Sequence, residues 1–135
     1  MKSSEIKHTM FNVPRLKYIL IFILFLACQT NKAQTIQIVD KAVIKTQVIG
    51  KKVQLIDVRT PEEYAAGNID NAVNYNIANE DTFLIQIQKL NKNLPVYLYC
   101  KAGVRSNKAA KLLKEEGFTK IYDYAGGYSD WIKSQ

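Results

Sequence analysis

One stretch of the chain decides its fold class, and it reads Pro95-Val96-Tyr97-Leu98-Tyr99-Cys100-Lys101-Ala102-Gly103-Val104-Arg105-Ser106. Its first five residues form an apolar run that is typical of a buried strand in a parallel sheet. Gly103 permits a tight backbone turn, and a helical pattern extends from Val104 to Glu116. A strand, a short loop and a helix in this order predict an α/β domain with a cysteine at the end of a strand.

The same alternation continues on both sides of this stretch. Thr60, Pro61 and Glu63 form a capping-box pattern that predicts the start of a helix, which ends at Gly67. Strands are predicted over 36–39, 53–58, 72–75, 95–99 and 121–124, and helices over 41–49, 61–67, 82–90, 104–116 and 128–133. Such regular alternation predicts a parallel sheet with right-handed crossovers, in which ligands bind beyond the carboxyl ends of the strands.

The N-terminal residues have the pattern of an export signal. Residues 1–17 carry a net charge of +3, and an unbroken apolar run extends from Tyr18 to Ala27. As a helix this run is only about 16 Å long, too short for a bilayer core of roughly 30 Å. A basic segment followed by a short apolar run predicts a secretory signal over residues 1–33 and a working domain over residues 36–135.

Two cleavage sites remain open. Phe25-Leu26-Ala27-Cys28 resembles a bacterial lipoprotein box, which would place a lipid anchor on Cys28 after cleavage between residues 27 and 28. Ordinary signal-peptidase cleavage after Ala33 would instead leave Gln34 first. The chain is therefore expected to be exported, either as a membrane-anchored lipoprotein or as a periplasmic protein.

Composition excludes several kinds of site. The whole chain has a net charge of +7, two cysteines and one histidine. From Cys28 onward, 15 Lys and Arg face 11 Asp and Glu, a charge of +4, with no basic run interleaved with aromatic residues. We therefore expect no nucleic-acid partner. The scarcity of cysteine and histidine likewise predicts neither a metal site nor a disulfide framework, and no cofactor is expected.

Cys100 is the candidate nucleophile. At the start of a helix, a thiol faces unpaired amides and the positive end of the helix dipole, which both favour the thiolate. The chain between Val96 and Lys114 contains five basic residues and no acid, so the local field should attract an anion. The alternative is a small buried cysteine with a packing role, which the polar loop that follows it makes less suitable.

The absence of histidine beyond His8 limits the chemistry. No Cys-His or Ser-His-Asp arrangement can form in the predicted domain, so a protease-like mechanism is excluded. Chemistry that starts from a preformed thiolate and a substrate with a good leaving group fits better. Transfer of sulfur from a sulfane donor is of this kind.

Four motifs in the expected order resemble the rhodanese-like domain family. They are Asp57-Val58-Arg59, the segment from Glu63 to Ala72, the loop from Cys100 to Ser106, and Gly126-Gly127-Tyr128-Ser129-Asp130-Trp131. The resemblance implies a three-layer α/β fold with a central parallel five-stranded sheet flanked by helices. Asn68 and Asn71 depart from the residues usual in the turn before the third strand, which puts the geometry of that turn in doubt.

The resemblance also implies roles for site residues. Cys100 would carry a persulfide, and the backbone amides of Lys101, Ala102, Gly103, Val104 and Arg105 would hold the transferred sulfur and the substrate anion. Arg105 would orient the loop or contact the anion. Asp57, Arg59 and Ser106 would support the loop, although a purely structural ion pair of Asp57 with Arg59 is an equal alternative. Trp131 is expected to pack in the core.

The function implied is a sulfurtransferase that moves sulfur from a small anionic donor, such as thiosulfate, to cyanide or a thiol. A low-turnover sulfur-carrier or binding module with an acceptor protein as partner is the alternative. A phosphatase or arsenate reductase is less well supported, because Cys100 and Arg105 are separated by four residues rather than five.

Overall fold

The computed structural model describes residues 34–134, so the predicted export segment, residues 1–33, lies outside the described residues. The strands are β1 (Thr35–Val39), β2 (Gln54–Asp57), β3 (Val73–Asn74), β4 (Val96–Tyr99) and β5 (Lys120–Tyr124). The helices are α1 (Lys41–Val43), which continues as a π-helix over Ile44–Val48, α2 (Pro61–Ala65), α3 (Glu80–Ile87), α4 (Val104–Glu115), α5 (Gly127–Trp131) and a 3-10 turn over Ile132–Ser134.

The five strands form one sheet in the order β1-β5-β4-β2-β3, and all four pairings are parallel. This confirms the predicted α/β fold with a central parallel five-stranded sheet. β4 is central, so its residues are buried on both faces. Tyr99, the last residue of β4, is in register with Asp57 of β2 and Tyr124 of β5. The loop that follows β4 therefore begins at the carboxyl edge of three adjacent strands.

A hydrophobic core lies on each face of the sheet. On one face Phe83 and Ile87 of α3 and Ala109 and Leu113 of α4 pack on β2, β4 and β5. On the other face the π-helix packs with Tyr99 and Tyr124. Partly buried aromatic residues from α2, β5 and α5 pack around this core, and Trp131 of α5 is one of them. Trp131 is thus a packing residue, as predicted. β4 therefore lies between the two cores, directly before the loop that carries Cys100.

The predicted ends of some elements are wrong. α3 begins at Glu80 rather than Thr82, because the Asn79 side chain caps it by accepting a hydrogen bond from the Thr82 amide at 3.0 Å. β3 contains only Val73 and Asn74. The predicted helix over 41–49 begins as an α-helix but is π-helical from Ile44 to Val48. Within residues 34–134, no helix is long and apolar enough to cross a membrane.

Candidate active site

Cys100 directly follows β4, and its side chain is almost wholly buried, with the residue 1% exposed. The Gly103 amide donates a hydrogen bond to Cys100 Sγ, with a nitrogen–sulfur distance of 3.1 Å. The Ser106 hydroxyl oxygen lies 3.7 Å from the same sulfur. The loop and the first turn of α4 therefore each place a polar group beside Cys100 Sγ.

These donors shift the pKa of the thiol. Burial raises the pKa of Cys100, but hydrogen bonds from the Ser106 amide and hydroxyl and from the Ala102 and Gly103 amides lower it, and the net pKa lies below its ordinary value. The site thus favours a thiolate without a histidine base. A buried thiolate held by backbone amides can act as a nucleophile on a small substrate.

Gly103 is required by the shape of the loop. Its φ of +95° lies in the left-handed region, where it forms the N-cap of α4. A Cβ at this position would lie 2.6 Å from the Ala125 carbonyl oxygen. A glycine here lets the amide turn back to the sulfur while the loop packs closely against the end of β5.

The Gly126-Gly127 motif fastens the loop from the other side. A Cβ on Gly127 would lie 2.6 Å from the carbonyl oxygens of both Cys100 and Lys101. The amides that follow use this close approach: Tyr128 donates to the Cys100 carbonyl at 2.8 Å and Ser129 to the Lys101 carbonyl at 3.0 Å. The sequence pattern identifies this motif but indicates no role for its glycines.

Arg105 faces an acid from another helix rather than an open anion site. Its two terminal nitrogens donate to the Glu63 carboxylate at 2.6 and 2.9 Å. The hydrogen bond with Arg105 lowers the pKa of Glu63 to about 2. Of the two roles predicted for Arg105, this geometry favours orientation of the loop.

Two of the basic residues of α4 pair with acids, which the local sequence did not indicate. Besides the pair of Arg105 with Glu63, Lys108 pairs with Glu80 of α3 at 2.7 Å. The sequence showed no acid nearby because both acids come from other helices. The positive charges of Arg105 and Lys108 are therefore partly neutralised by these two acids.

Asp57 and Arg59 form a buried ion pair behind the loop. Arg59 Nη2 lies 2.6 Å from Asp57 Oδ2 and donates at 2.7 Å to the Gly67 carbonyl. The Arg59 guanidinium also stacks on the Tyr128 ring, 4.1 Å from its centroid. Since the Tyr128 amide binds the Cys100 carbonyl, the pair supports the loop through Tyr128. The two predicted roles of the pair, support of the loop and a structural ion pair, therefore do not exclude each other.

The remaining predicted residues divide into buried and exposed groups. Lys101, Ala102 and Val104 are exposed around the mouth of the loop, with Val104 82% exposed. Ser106 is fully buried, and its hydroxyl lies beside the sulfur itself rather than behind the loop. Its place three residues after the glycine N-cap is the signal that could have identified this contact. Among the described residues, no group of three or more His, Cys, Asp or Glu side chains could hold a metal ion.

The sequence and the fold were compared with those of known proteins. The family model described as "Rhodanese-like domain" matches residues 40–134 of this chain. The uncharacterized protein YqhL of Bacillus subtilis is 40% identical over 81 residues, which are 60% of this chain and 62% of YqhL. The tRNA uridine(34) hydroxylase of Pelagibacter ubique is 33% identical over 84 residues, 62% of this chain and 28% of the hydroxylase. The thiosulfate sulfurtransferase GlpE of Shewanella oneidensis is 36% identical over 81 residues, 60% of this chain and 77% of GlpE.

Solved structures share the fold. A rhodanese-like domain protein from Staphylococcus aureus aligns with a TM-score of 0.63 and 32% identity, over 73% of this chain and 93% of that one. The human single-domain sulfurtransferase TSTD1 aligns with a TM-score of 0.61 and 25% identity, over 72% and 96%. The match spans less than two thirds of YqhL and less than a third of the hydroxylase. With a family match over residues 40–134 and the Cys100 loop at the edge of its parallel sheet, the chain belongs to the rhodanese-like domain family.

Proposed function

We propose that this chain is a sulfurtransferase that moves sulfane sulfur from a small anionic donor, such as thiosulfate, to a thiophilic acceptor through a persulfide on Cys100. The observation that carries the proposal is the hydrogen bond from the Gly103 amide to Cys100 Sγ at 3.1 Å. It places a preformed donor on the sulfur that carries the negative charge of the thiolate and that regains this charge when the outer sulfur is transferred. The similarity to a thiosulfate sulfurtransferase supports the same reaction class.

In the first half-reaction the Cys100 thiolate attacks the outer sulfur of thiosulfate. A bond forms between Cys100 Sγ and that sulfur, and the bond to the sulfonate sulfur breaks. Sulfite leaves with the bonding electron pair, and no proton is transferred. A reaction of this kind needs no general base once the thiolate exists. It is therefore compatible with residues 34–134, which contain no histidine.

In the second half-reaction an acceptor attacks the outer sulfur of the persulfide. Cyanide would leave as thiocyanate, and a thiolate would leave as a new persulfide, with the Cys100 thiolate restored in each case. Lys101, Ala102 and Val104 are exposed beside Cys100, so an acceptor would approach the persulfide from this side of the loop. Arg105 contributes by holding the loop in place through Glu63.

A steady-state assay with thiosulfate and cyanide tests this proposal. We expect the wild-type chain to form thiocyanate at a rate that saturates with thiosulfate, and Cys100→Ser to form none above the uncatalysed rate. Glu80→Gln is the matched control, because it removes an acid that pairs with α4 at the surface, away from the sulfur. Equal rates for wild type and Cys100→Ser would contradict the proposal.

A sulfur-carrier module that delivers its persulfide to an acceptor protein is the second candidate function. Val104, an apolar side chain 82% exposed beside the loop, offers a contact for such a partner. Family domains also form a minor part of longer proteins, since the match covers only 28% of the Pelagibacter hydroxylase. Persulfide formation at the wild-type rate together with negligible thiocyanate turnover would favour the carrier over the enzyme.

Phosphatase and arsenate reductase activities receive less support. The interval of four residues between Cys100 and Arg105 makes a small loop, and both terminal nitrogens of Arg105 are already bound to Glu63. A tetrahedral oxyanion would need that arginine free. We expect no hydrolysis of an aryl phosphate above background, and a Cys100-dependent hydrolysis would overturn this ranking.

Export remains a proposal that rests on the sequence pattern of residues 1–33. The mass of the mature protein from its native host tests it. A diacylglyceryl adduct on a chain that begins at Cys28 would indicate a lipoprotein, and a bare chain that begins at Gln34 would indicate a periplasmic protein. A mature chain that retains Met1 or its neighbouring residues would contradict export.

A further inference from the structure

Glu63 is held in place by its own helix as well as by Arg105. It lies in the first turn of α2, where its Oε2 atom accepts a hydrogen bond from the Thr60 amide at 3.1 Å. The Thr60 hydroxyl in turn accepts a hydrogen bond from the Glu63 amide at 3.3 Å. This capping box fixes the carboxylate at the start of α2, independently of α4. Glu63 is therefore a preorganised acceptor for the guanidinium of Arg105.

Arg105 lies between two residues that contact the sulfur of Cys100. The Gly103 amide nitrogen is 3.1 Å from Cys100 Sγ, and the Ser106 hydroxyl oxygen is 3.7 Å from it. The hydrogen bond with Glu63 raises the pKa of Arg105 most, and the charge of a Cys100 thiolate raises it further, although burial lowers it. An anion that approaches the sulfur therefore enters the field of the Arg105 guanidinium.

Glu63 binds both terminal nitrogens of this guanidinium. The two hydrogen bonds measure 2.6 and 2.9 Å, and the side chains of Arg105 and Glu63 are only 33% and 29% exposed. Water screens such a bidentate, partly buried pair less than it screens a pair at the surface. A second anion could bind these two nitrogens only by displacing the carboxylate, and the pair as a whole has no net charge.

The other two basic residues nearest the sulfur along the chain differ in their partners. Lys108 forms an exposed pair with Glu80 of α3 at 2.7 Å. Lys101 is exposed and forms no ion pair with any residue that the structure describes. The attraction of the site for anions therefore depends on which of its cations already has a counter-ion.

We propose that Glu63 is a specificity-determining residue that limits how strongly the Cys100 site attracts anions. It acts through Arg105, for which it is a built-in counter-ion. When Glu63 occupies Arg105, the site discriminates weakly between neutral and negatively charged sulfur compounds. Without the Glu63 charge, Arg105 would attract anions, and dianions most strongly. Glu63 thereby keeps inorganic oxyanions such as phosphate from occupying the place of a sulfur donor or acceptor.

The consequence for sulfur donors rests on the proposed function, but the charge selectivity can be measured without sulfur transfer. Iodoacetate and iodoacetamide both alkylate a thiolate, and only iodoacetate is an anion. The ratio of their rates at Cys100, followed by peptide mass, therefore reports the local charge. A change in the pKa of the thiol cancels in this ratio, because both reagents react with the same thiolate.

Two single variants and their combination form the test. Glu63→Gln keeps the shape and a capping-box residue but removes the charge, and it should raise the ratio of iodoacetate to iodoacetamide rates about fivefold. Arg105→Gln leaves Glu63 without its cation and should lower the ratio by a similar factor. The double variant restores a neutral pair and should return to the wild-type ratio. Unchanged ratios in the single variants, or a double variant that does not return to the wild-type ratio, would overturn the proposal.

Glu80→Gln is the matched control. It also removes an acid from a basic residue of α4, but from the exposed pair with Lys108 one turn farther along the helix. Its ratio should stay within about twofold of the wild-type ratio. A rise as large as that of Glu63→Gln would overturn the proposal, because the loss of any acid beside α4 would then have the same effect. Loss of thiocyanate formation with the expected ratios would instead contradict the proposed function alone.

Inorganic phosphate provides a second measurement. At constant ionic strength, phosphate should protect Cys100 of Glu63→Gln from iodoacetamide at a concentration about fivefold lower than in the wild type, because Arg105 is then free to bind it. Equal protection of the wild type and Glu63→Gln would overturn the claim that Glu63 keeps oxyanions out of the site. Either single variant tests the proposal by its alkylation ratio if the other does not fold.

Discussion

The amide of Gly103 points at the sulfur of Cys100 from 3.1 Å, although the two residues belong to a loop that must also leave the strand and start a helix. The left-handed φ of Gly103 and its close contact with the Ala125 carbonyl oxygen make this possible. The course of the backbone therefore helps to lower the pKa of Cys100, and this effect depends on a residue that has no side chain.

Replacing Gly103 by alanine should weaken the hydrogen bond from the amide of residue 103 to Cys100 Sγ. The new Cβ would lie 2.6 Å from the Ala125 carbonyl oxygen, so the backbone must shift and the amide hydrogen bond must lengthen. We expect the pKa of Cys100 to rise and its alkylation by iodoacetamide at neutral pH to slow about tenfold, the effect of losing one hydrogen bond to a charged group. The pH profile of alkylation measures both.

Gly117→Ala is the control for that experiment. Gly117 has a similar positive φ of +90°, but a Cβ added there would have no atom within 4 Å. This variant should lose stability from the same backbone strain while the pKa of Cys100 stays unchanged. Equal slowing of alkylation in the two variants would show that strain, and not the amide hydrogen bond, controls reactivity.

The pair of Glu63 with Arg105 should stabilise the folded chain more than a surface pair does. Glu63→Gln is expected to lower the free energy of unfolding by about 1 kcal/mol at neutral pH, because the bidentate pair is only partly exposed. Glu80→Gln breaks the more exposed pair with Lys108 and should lower the free energy of unfolding by only about 0.3 kcal/mol. Urea denaturation of both variants measures the difference.

The Glu63 pair should also show a defined pH dependence. In the folded chain the pKa of Glu63 is lowered to about 2, whereas a glutamate in an unfolded chain has a pKa of about 4.3. A depressed folded pKa gives stabilisation that is fully present above the unfolded value and is lost as the pH falls through the folded value. The advantage of wild type over Glu63→Gln should therefore shrink below about pH 4. An advantage that stays constant down to pH 2 would contradict the ion pair.

Breaking the buried pair of Asp57 with Arg59 should have a larger effect. Asp57→Ala leaves the Arg59 guanidinium buried without its acid, which should cost about 3–5 kcal/mol of unfolding free energy. The double variant Asp57→Leu with Arg59→Met should lose less, because it leaves no buried charge. A single variant that is more stable than the double one would contradict a structural role for the pair.

The sequence alone predicts most of the sheet and the position of Cys100 at the end of a central strand. Short β-branched and aromatic runs such as Val96 to Tyr99 predict buried strands, and the capping box at Thr60 is present with both hydrogen bonds. These signals are local, so they can be read without the fold. The predicted start of α3 is wrong because the apolar periodicity does not reveal the cap that Asn79 provides.

What the sequence could not predict depends on pairs that are distant along the chain. Arg105 and Glu63 are 42 positions apart, and only the parallel sheet brings their helices together. The same holds for Gly127, whose missing Cβ matters only because the Cys100 carbonyl oxygen lies against it. Asp123 has an ordinary position in the strand pattern of β5, and only the fold shows that this position is buried.

The most direct test of the central claim is the intact mass of the full chain after incubation with thiosulfate and removal of excess donor. The account predicts a gain of one sulfur atom in the wild type, the same gain in Cys28→Ser, no gain in Cys100→Ser, and loss of the added sulfur on treatment with cyanide. A sulfur adduct that persists in Cys100→Ser, or its absence from a folded wild-type chain, would contradict a persulfide on Cys100.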